Sequence, residues 1–290
     1  MSIAEQILEI NGIRLCAQSF GDPQHPAILL IHGAGDSMLA WDPAFIERLT
    51  SGGRRVIRYD ARDAGRSTTS PVGAPTHGLN DLTADAVGVL DAFGIERATV
   101  YGMSGGAAAA QLVALDYPDR VAALVLSSAT PGGPGHAAAD LPGMTDELMA
   151  YFSGEAPTPD WSDRAAVIEY LVDAERPFAA ASRPFDTEAR RALAGQVVDR
   201  AADIAAQLTN PFLMDAGTPW RDRLGKIDVP TLVLHGDEDP LFPIEHGRAL
   251  AAEISGARFH TLTRTGHEMP QRWDWDAVTA AILALADSAA

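Results

Sequence analysis

The stretch Val100-Tyr101-Gly102-Met103-Ser104-Gly105-Gly106 joins an apolar strand directly to an alanine-rich helix. Its G-x-S-x-G pattern lies in a strand–turn–helix context, where a sharp turn lifts the serine off the strand end. Only small residues fit around such a turn, and Gly102 and Gly106 flank the serine at two positions on either side. The N–H of Gly105 then lies at a helix N-terminus, which favours a developing negative charge. The stretch predicts an α/β fold with Ser104 as a candidate nucleophile.

Short apolar runs that alternate with helical patterns extend this unit in both directions. Such runs are typical of strands buried on both faces of a parallel sheet, and the βαβ series implies right-handed crossovers. Asn11-Gly12 favours a two-residue hairpin turn within Gln6–Phe20, so the chain begins with an antiparallel hairpin. The predicted strands are Ala27–Ile31, Arg55–Tyr59, Thr99–Met103, Val121–Ser127, Pro230–His235 and Ala257–Leu262, and the predicted helices between them are Pro43–Leu49, Leu79–Phe93, Ala107–Asp116, Ile244–Ile254 and Asp274–Ala286.

The alternation of strands and helices stops between Ser128 and Arg223. The helical patterns in this stretch are Asp146–Phe152, Asp163–Asp173 and Thr187–Leu208. A helical insertion between two sheet strands predicts a cap over the carboxyl edge of the sheet, where ligands of open α/β sheets bind. The predicted division is therefore a core of residues 1–128 and 224–290 with a cap of residues 129–223. An independent helical domain is the alternative.

Charge and cysteine content exclude several classes of function. The 290 residues include 22 Lys+Arg and 39 Asp+Glu, so a formal charge of −17 disfavours nucleic acids and anionic membranes as partners. The single cysteine, Cys16, allows no internal disulfide and no Cys-x-x-Cys metal site. Neither a signal peptide nor a run of about 20 apolar residues is apparent. We therefore expect a cytoplasmic protein with no metal site, and a homodimer remains open.

A nucleophilic serine needs a base and an acid that orients this base. His267 lies in the loop Arg264–Glu268, directly after the last predicted strand, and is the candidate base. The loop Leu234–Pro243 follows the penultimate strand and offers several carboxylates. Its Gly-x-x-Asp-x-x-x-Pro spacing favours Asp239 as the acid, with Asp237 as the alternative. The resulting chain order of serine, acid and base differs from that of trypsin-like and subtilisin-like enzymes.

A second donor for an oxyanion is expected from the loop after the first central strand. Leu29–Gly35 ends that strand with His-Gly-x, which makes the backbone N–H of Ala34 the candidate partner of the Gly105 N–H. An ordinary glycine turn is the alternative interpretation. We expect the ring of His32 to bond loop backbone and to have a structural role.

One further loop completes a resemblance to a known family. Tyr59–Thr69 resembles the Asp-x-Arg-x-x-Gly-x-Ser loop of the α/β-hydrolase superfamily, in the Arg-Asp form of the aclacinomycin methylesterase type. The resemblance extends from the hairpin to Ser128 and again from Leu224 onward. It implies a cap-bearing α/β-hydrolase fold and a serine ester-hydrolase mechanism without cofactor. Many relatives have a larger apolar residue at the position of Gly105, so the resemblance does not define the substrate. The triad residues that it implies are Ser104, Asp239 and His267.

Apolar residues of the cap and of the core loops favour a hydrophobic, bulky substrate, such as a methyl ester of an aromatic or polyketide-like acid. We expect Arg62 and Arg66 to pair with acidic residues of their own loop, although either could bind a substrate carboxylate. The same triad could serve a lactonase, a C–C bond hydrolase or a perhydrolase, and a non-hydrolytic binding or cyclising protein could retain the fold. The candidate substrate contacts are Met38, Trp41, Met103, Phe152, Trp161, Trp220, Phe242 and Met269.

Overall fold

The computed structural model describes residues 4–133, 138–154 and 158–289. Within these residues, eight strands form one sheet. The central strands are mostly apolar and buried, because helices cover the sheet on both faces. The strands are β1 (Gln6–Ile10), β2 (Ile13–Phe20), β3 (Ala27–Ile31), β4 (Arg55–Tyr59), β5 (Ala98–Met103), β6 (Val121–Ser127), β7 (Thr231–Gly236) and β8 (Arg258–Leu262).

The strands lie in the order β1-β2-β4-β3-β5-β6-β7-β8. β2 pairs antiparallel with β1 and with β4, and all other neighbours pair parallel. Asn11 (φ 52°) and Gly12 (φ 79°) turn the first hairpin in the left-handed region. The predicted antiparallel hairpin and mostly parallel sheet are confirmed.

Helices connect the strands and cover both faces of the sheet. In the described ranges, none of them combines the length and the apolarity needed to cross a membrane. The helices are α1 (Pro43–Ser51), α2 (Leu79–Ala92), α3 (Gly105–Asp116), α4 (Asp146–Ser153), α5 (Arg164–Glu175), α6 (Thr187–Arg200), α7 (Ile204–Thr209), α8 (Glu245–Glu253) and α9 (Trp275–Asp287).

Two apolar clusters hold the helices on the sheet. On one face, α2, α3 and α8 pack through side chains such as Leu90, Leu112 and Leu250. On the other face, α1 and α9 pack through Phe45 and Ile282. Each fully buried side chain of this size contributes about 1.5–3 kcal/mol. The clusters fix β5 and α3 at the centre of the fold.

In its described residues, the segment between β6 and β7, which we call the cap segment (residues 129–223), forms helices and contributes no strand to the sheet. Its helices α5 and α6 share a small apolar cluster that includes Ile168 and Leu171. The prediction of one helical stretch over Thr187–Leu208 is wrong, because α6 ends at Arg200. Asp203 then has extended backbone and caps α7, its side chain accepting from the Ala206 N–H at 3.0 Å.

The cap segment contacts the loops at the carboxyl ends of the central strands. The Thr145 N–H donates to the Pro240 carbonyl oxygen after β7 at 2.9 Å. The Gln207 side chain donates to the Gly35 carbonyl oxygen after β3 at 3.1 Å. These contacts leave the cap segment facing the sheet edge at which Ser104 lies.

Candidate active site

Ser104 occupies a strained turn between β5 and α3. Its backbone has φ 50° and ψ −115°, a sparsely populated conformation that costs on the order of 1–3 kcal/mol. A Cβ atom built on Gly102 would lie 2.2 Å from the Gly106 carbonyl oxygen. A Cβ atom built on Gly106 would lie 2.4 Å from the His32 carbonyl oxygen. Close backbone approach therefore requires glycine on both sides of the serine.

We expect Gly106→Ala to lower the free energy of unfolding by about 3 kcal/mol, because the added methyl group must displace backbone that is packed on it. Urea unfolding followed by circular dichroism measures the change. Gly143→Ala is the matched control, since a Cβ atom there meets nothing within 4 Å. Equal unfolding midpoints for the two variants would show that the turn tolerates a side chain.

Three side chains from distant parts of the sequence form one hydrogen-bonded series. The Ser104 Oγ lies 2.8 Å from the His267 Nε2, and the His267 Nδ1 lies 2.9 Å from the Asp239 Oδ2. Asp237 instead accepts from the Thr265 N–H at 3.4 Å. The structure therefore brings Asp239 to the imidazole, and Asp237 makes no hydrogen bond with it.

The carboxylate of Asp239 is buried but well supplied with donors. Its Oδ1 accepts from the N–H groups of Leu241 and Phe242, each at 2.9 Å. Burial alone would raise the pKa of Asp239, but the His267 imidazole and these hydrogen bonds outweigh burial and hold the pKa below its ordinary value. Asp239 is therefore ionised at neutral pH and accepts the Nδ1–H of His267, which leaves Nε2 as the acceptor for the serine proton.

His235 lies beside this carboxylate and is fully buried in β7. Its Nε2 donates to the Phe242 carbonyl oxygen at 2.7 Å and lies 3.6 Å from the Asp239 Oδ2. Burial lowers the pKa of His235, so its ring is neutral. In the described part of the chain, no group of three or more His, Cys, Asp or Glu side chains is arranged to hold a metal ion.

Two backbone N–H groups adjoin the serine. Gly105 is the first residue of α3, so its N–H has no partner within the helix. A Cβ atom built on Gly105 would lie 3.2 Å from the Ala34 nitrogen, which places the loop after β3 directly beside the helix start. The His32 ring fixes this loop, with Nδ1 2.8 Å from the Gly33 oxygen and Nε2 accepting from the Ala61 N–H at 3.0 Å.

Glu268 fastens the His267 loop to the cap segment. Its buried carboxylate accepts from the N–H groups of Gly266 at 3.2 Å and Ala180 at 3.3 Å. The guanidinium groups of Arg183 and Arg190 also bind it, the latter at 3.2 Å. We call this arrangement the Glu268 clamp. Through this clamp, the loop that contains His267 is bound to helix α6 and to the residues that precede α6.

Aromatic rings stand beside the imidazole on the cap side. The ring centroids of Phe242 and Phe178 lie 5.4 and 6.1 Å from that of His267. Phe152, which is largely exposed, lies 6.0 Å from Phe178. Phe242 thus lies beside the imidazole, Phe152 lies beside Phe178, and Met103 adjoins Ser104 in the chain; contact of any of the three with a substrate stays a prediction. No sequence motif indicated Phe178, because its position beside His267 depends on how the cap segment packs against the His267 loop.

Three other candidate contacts are not brought to the site. Met38, Trp41 and Trp220 are at most 1% exposed, which leaves them no surface for a ligand. Trp41 packs edge-on against Tyr101 at 4.8 Å, and the Trp220 Nε1 donates to the Gln111 Oε1 at 3.0 Å. Both tryptophans fill the core because their neighbours enclose the whole ring.

The two remaining candidate contacts are packed against neighbouring apolar groups. Trp161 lies 5.8 Å from Tyr170 within the cap segment. Met269 is partly buried against the cluster that holds α1 and α9 on the sheet. Contact of either residue with a substrate stays a prediction.

The arginines of the loop after β4 pair outside that loop. Arg62 forms an ion pair with Asp85 of α2 at 2.7 Å, and Arg66 forms one with Glu5 at 2.7 Å. The prediction that they pair with acidic residues of their own loop is wrong, because α2 and the N-terminal residues bring closer carboxylates. Both guanidinium groups are thereby engaged in structural contacts.

Asp36 is a residue at the site that motif spacing did not indicate. A Cβ atom built on Gly33 would lie 3.1 Å from the Asp36 Oδ2 and 3.6 Å from the Ser104 Cβ. Burial raises the pKa of Asp36 to about 7, with Glu175 adding to the effect and Arg190 opposing it. The residue nevertheless keeps solvent-accessible surface. Asp36 is thus an exposed carboxyl close to the serine.

Comparisons with known proteins agree with this geometry. A family model described as the alpha/beta hydrolase fold matches residues 26–270. The chain is 30% identical to rhodomycin D methylesterase DauP of Streptomyces sp. (strain C5), over 90% of this chain and 91% of that protein. It is 29% identical to rhodomycin D methylesterase DnrP of Streptomyces peucetius, again over 90% and 91%.

A solved structure supports the same assignment. The enol-lactonase from Burkholderia xenovorans LB400 is 25% identical and superposes with a TM-score of 0.73 over 97% of this chain and 99% of that one. The family match, the relatives and the fold all indicate the same family. The chain therefore belongs to the α/β-hydrolase family and, with named esterases among its relatives, is an ester-cleaving enzyme.

Proposed function

We propose that the enzyme hydrolyses a carboxylic ester through an acyl-enzyme, with Ser104 as nucleophile. The His267 Nε2 takes the Ser104 proton as Oγ attacks the ester carbonyl carbon, and then gives it to the departing alkoxide. The alcohol leaves, and Ser104 holds the acyl group. In the second half, His267 takes a proton from water, the hydroxide attacks the acyl carbon, and the proton returns to Ser104 as the acid departs.

The N–H groups of Ala34 and Gly105 stabilise the oxyanion that forms in both halves of the reaction. A Cβ atom built on Gly105 would lie 3.2 Å from the Ala34 nitrogen, and the Gly105 N–H adds the positive end of the α3 dipole. Asp239 keeps the imidazole in the tautomer whose Nε2 can accept a proton. The observation that carries the proposal is the hydrogen-bonded series of Ser104, His267 and Asp239 at the start of a helix.

The substrate class that we propose is a methyl ester of a bulky, partly apolar acid. The relatives named rhodomycin D methylesterase favour a methyl ester. The rings of Phe242 and Phe178 supply apolar surface next to the imidazole, and Phe152 extends this surface from Phe178. A lactone is the second candidate, favoured by the likeness to an enol-lactonase structure. Attack on either carbonyl uses the same groups.

A fluorophosphonate probe tests the nucleophile directly, because it reacts covalently with an activated serine. We expect one adduct, on the peptide that contains Ser104, when the labelled protein is digested and analysed by mass spectrometry. Labelling that fails, or that occurs on another serine, would refute the proposed nucleophile. Product analysis with a methyl ester and a lactone of one aromatic acid then ranks the two substrate classes.

A further inference from the structure

The loop after β3 places a carboxylate without a partner beside the nucleophile. The side chain of Asp36 has no hydrogen-bond or ion-pair partner among the described residues. A Cβ atom built on Gly33 would be in contact with both the Asp36 carboxylate and the Ser104 side chain. The carboxylate is exposed, and no donor or cation of the described residues pairs with it. The missing group can come from a ligand, because Asp36 is accessible.

The charged groups around Asp36 do not supply the missing partner. Arg190 is engaged by Glu175 at 3.1 Å and by Glu268 at 3.2 Å, and Arg183 is bound to Glu268. Two guanidinium groups thus face two carboxylates, and neither is left to form an ion pair with Asp36. The formal charge of −17 for the whole chain acts in the same direction. The local field attracts a positively charged ligand.

We propose that Asp36 binds the protonated amine of an amino-ester substrate, held a few bonds from the carbonyl carbon that Ser104 attacks. This inference rests on the proposed ester hydrolysis and adds a substrate class to it. An ammonium group fits because it supplies both the counter-charge and the hydrogen-bond donors that Asp36 lacks. The short path from Asp36 past Gly33 to Ser104 limits how far the amine can lie from the ester.

Two isosteric esters measure the preference for the charge. Methyl 3-aminopropanoate carries an ammonium group where methyl butanoate carries a methyl group. We expect Asp36→Asn to lower the ratio of their kcat/KM values about tenfold relative to the wild-type protein. Asp119→Asn removes the same charge from an exposed position at the opposite end of β6 and should keep the wild-type ratio. An unchanged ratio in Asp36→Asn overturns the proposed subsite.

A binding measurement separates this inference from the proposed reaction. Both esters are titrated by NMR into Ser104→Ala and into Ser104→Ala with Asp36→Asn. Tighter binding of the amino ester that disappears with Asp36→Asn supports the subsite even if the wild-type protein cleaves neither ester, and only the proposed reaction then fails. Equal affinities of the two esters for Ser104→Ala overturn the subsite, whatever is found for hydrolysis.

Discussion

Replacing Ser104 with alanine is expected to lower kcat for p-nitrophenyl acetate by about 10⁴-fold or more, because no other group at the site can form the acyl intermediate. The Oγ lies 2.8 Å from the His267 Nε2, and its removal leaves the imidazole without a hydroxyl to deprotonate. The two N–H donors of Ala34 and Gly105 persist, and residual turnover should reflect only their effect on attack by water. Release of p-nitrophenolate followed by absorbance measures both proteins.

Ser51→Ala provides the matched control for this change. Ser51 ends α1 on the surface, and its hydroxyl makes no contact with the site. It should retain wild-type turnover and a wild-type melting temperature. If Ser104→Ala kept more than a few per cent of the wild-type rate while folding normally, acyl transfer through this serine would have to be abandoned.

Asp239→Asn is expected to lower kcat by about 10⁴-fold while preserving the shape of the site. The amide has no charge with which to stabilise the imidazolium that forms during attack. An amide N–H turned toward Nδ1 would also favour the tautomer that puts the proton on Nε2, where it blocks acceptance of the Ser104 proton. The pre-steady-state burst and kcat for p-nitrophenyl acetate report this loss.

Asp237→Asn decides between the two carboxylates of the β7 loop. Among the described residues, Asp237 accepts only from the Thr265 N–H, so its replacement should change kcat less than about threefold, in line with a peripheral contact. A large loss of activity with Asp237→Asn and a small one with Asp239→Asn would mean that the acid of the triad is misassigned. Melting temperatures of both variants show whether either loss reflects unfolding.

Local sequence was sufficient for most of the fold because each central strand is buried on both faces. A strand such as β6 reads as a continuous apolar run, and its length and flanking turns separate it from a helix. Element ends were less predictable. α3 begins at Gly105, two residues before the predicted start, because glycines have no side-chain pattern that could mark a helical face. The break after α6 depends on a single capping residue, Asp203.

The residues of the site likewise differ in whether the local sequence or the tertiary packing determines their position. Ser104, His267 and Asp239 lie in short motifs whose spacing already specifies a turn or a loop. Asp36 lies only two residues from Ala34, yet its raised pKa reflects burial and the charge of Glu175 in α5, which is distant in the sequence. Burial of Met38, Trp41 and Trp220 likewise follows from tertiary packing, and an apolar side chain near a motif does not reveal whether it faces a ligand or the core.

The Glu268 clamp makes access to the serine and the readiness of its base interdependent. Any displacement of the cap segment that parted Arg183 and Arg190 from Glu268 would leave a buried carboxylate without counter-ions, which is strongly unfavourable. It would also free the loop whose Gly266 N–H is held by the same carboxylate. An enzyme with its cap displaced would therefore have a misplaced imidazole and would be inactive. A bound ester would react only once the two arginines had paired with Glu268 again.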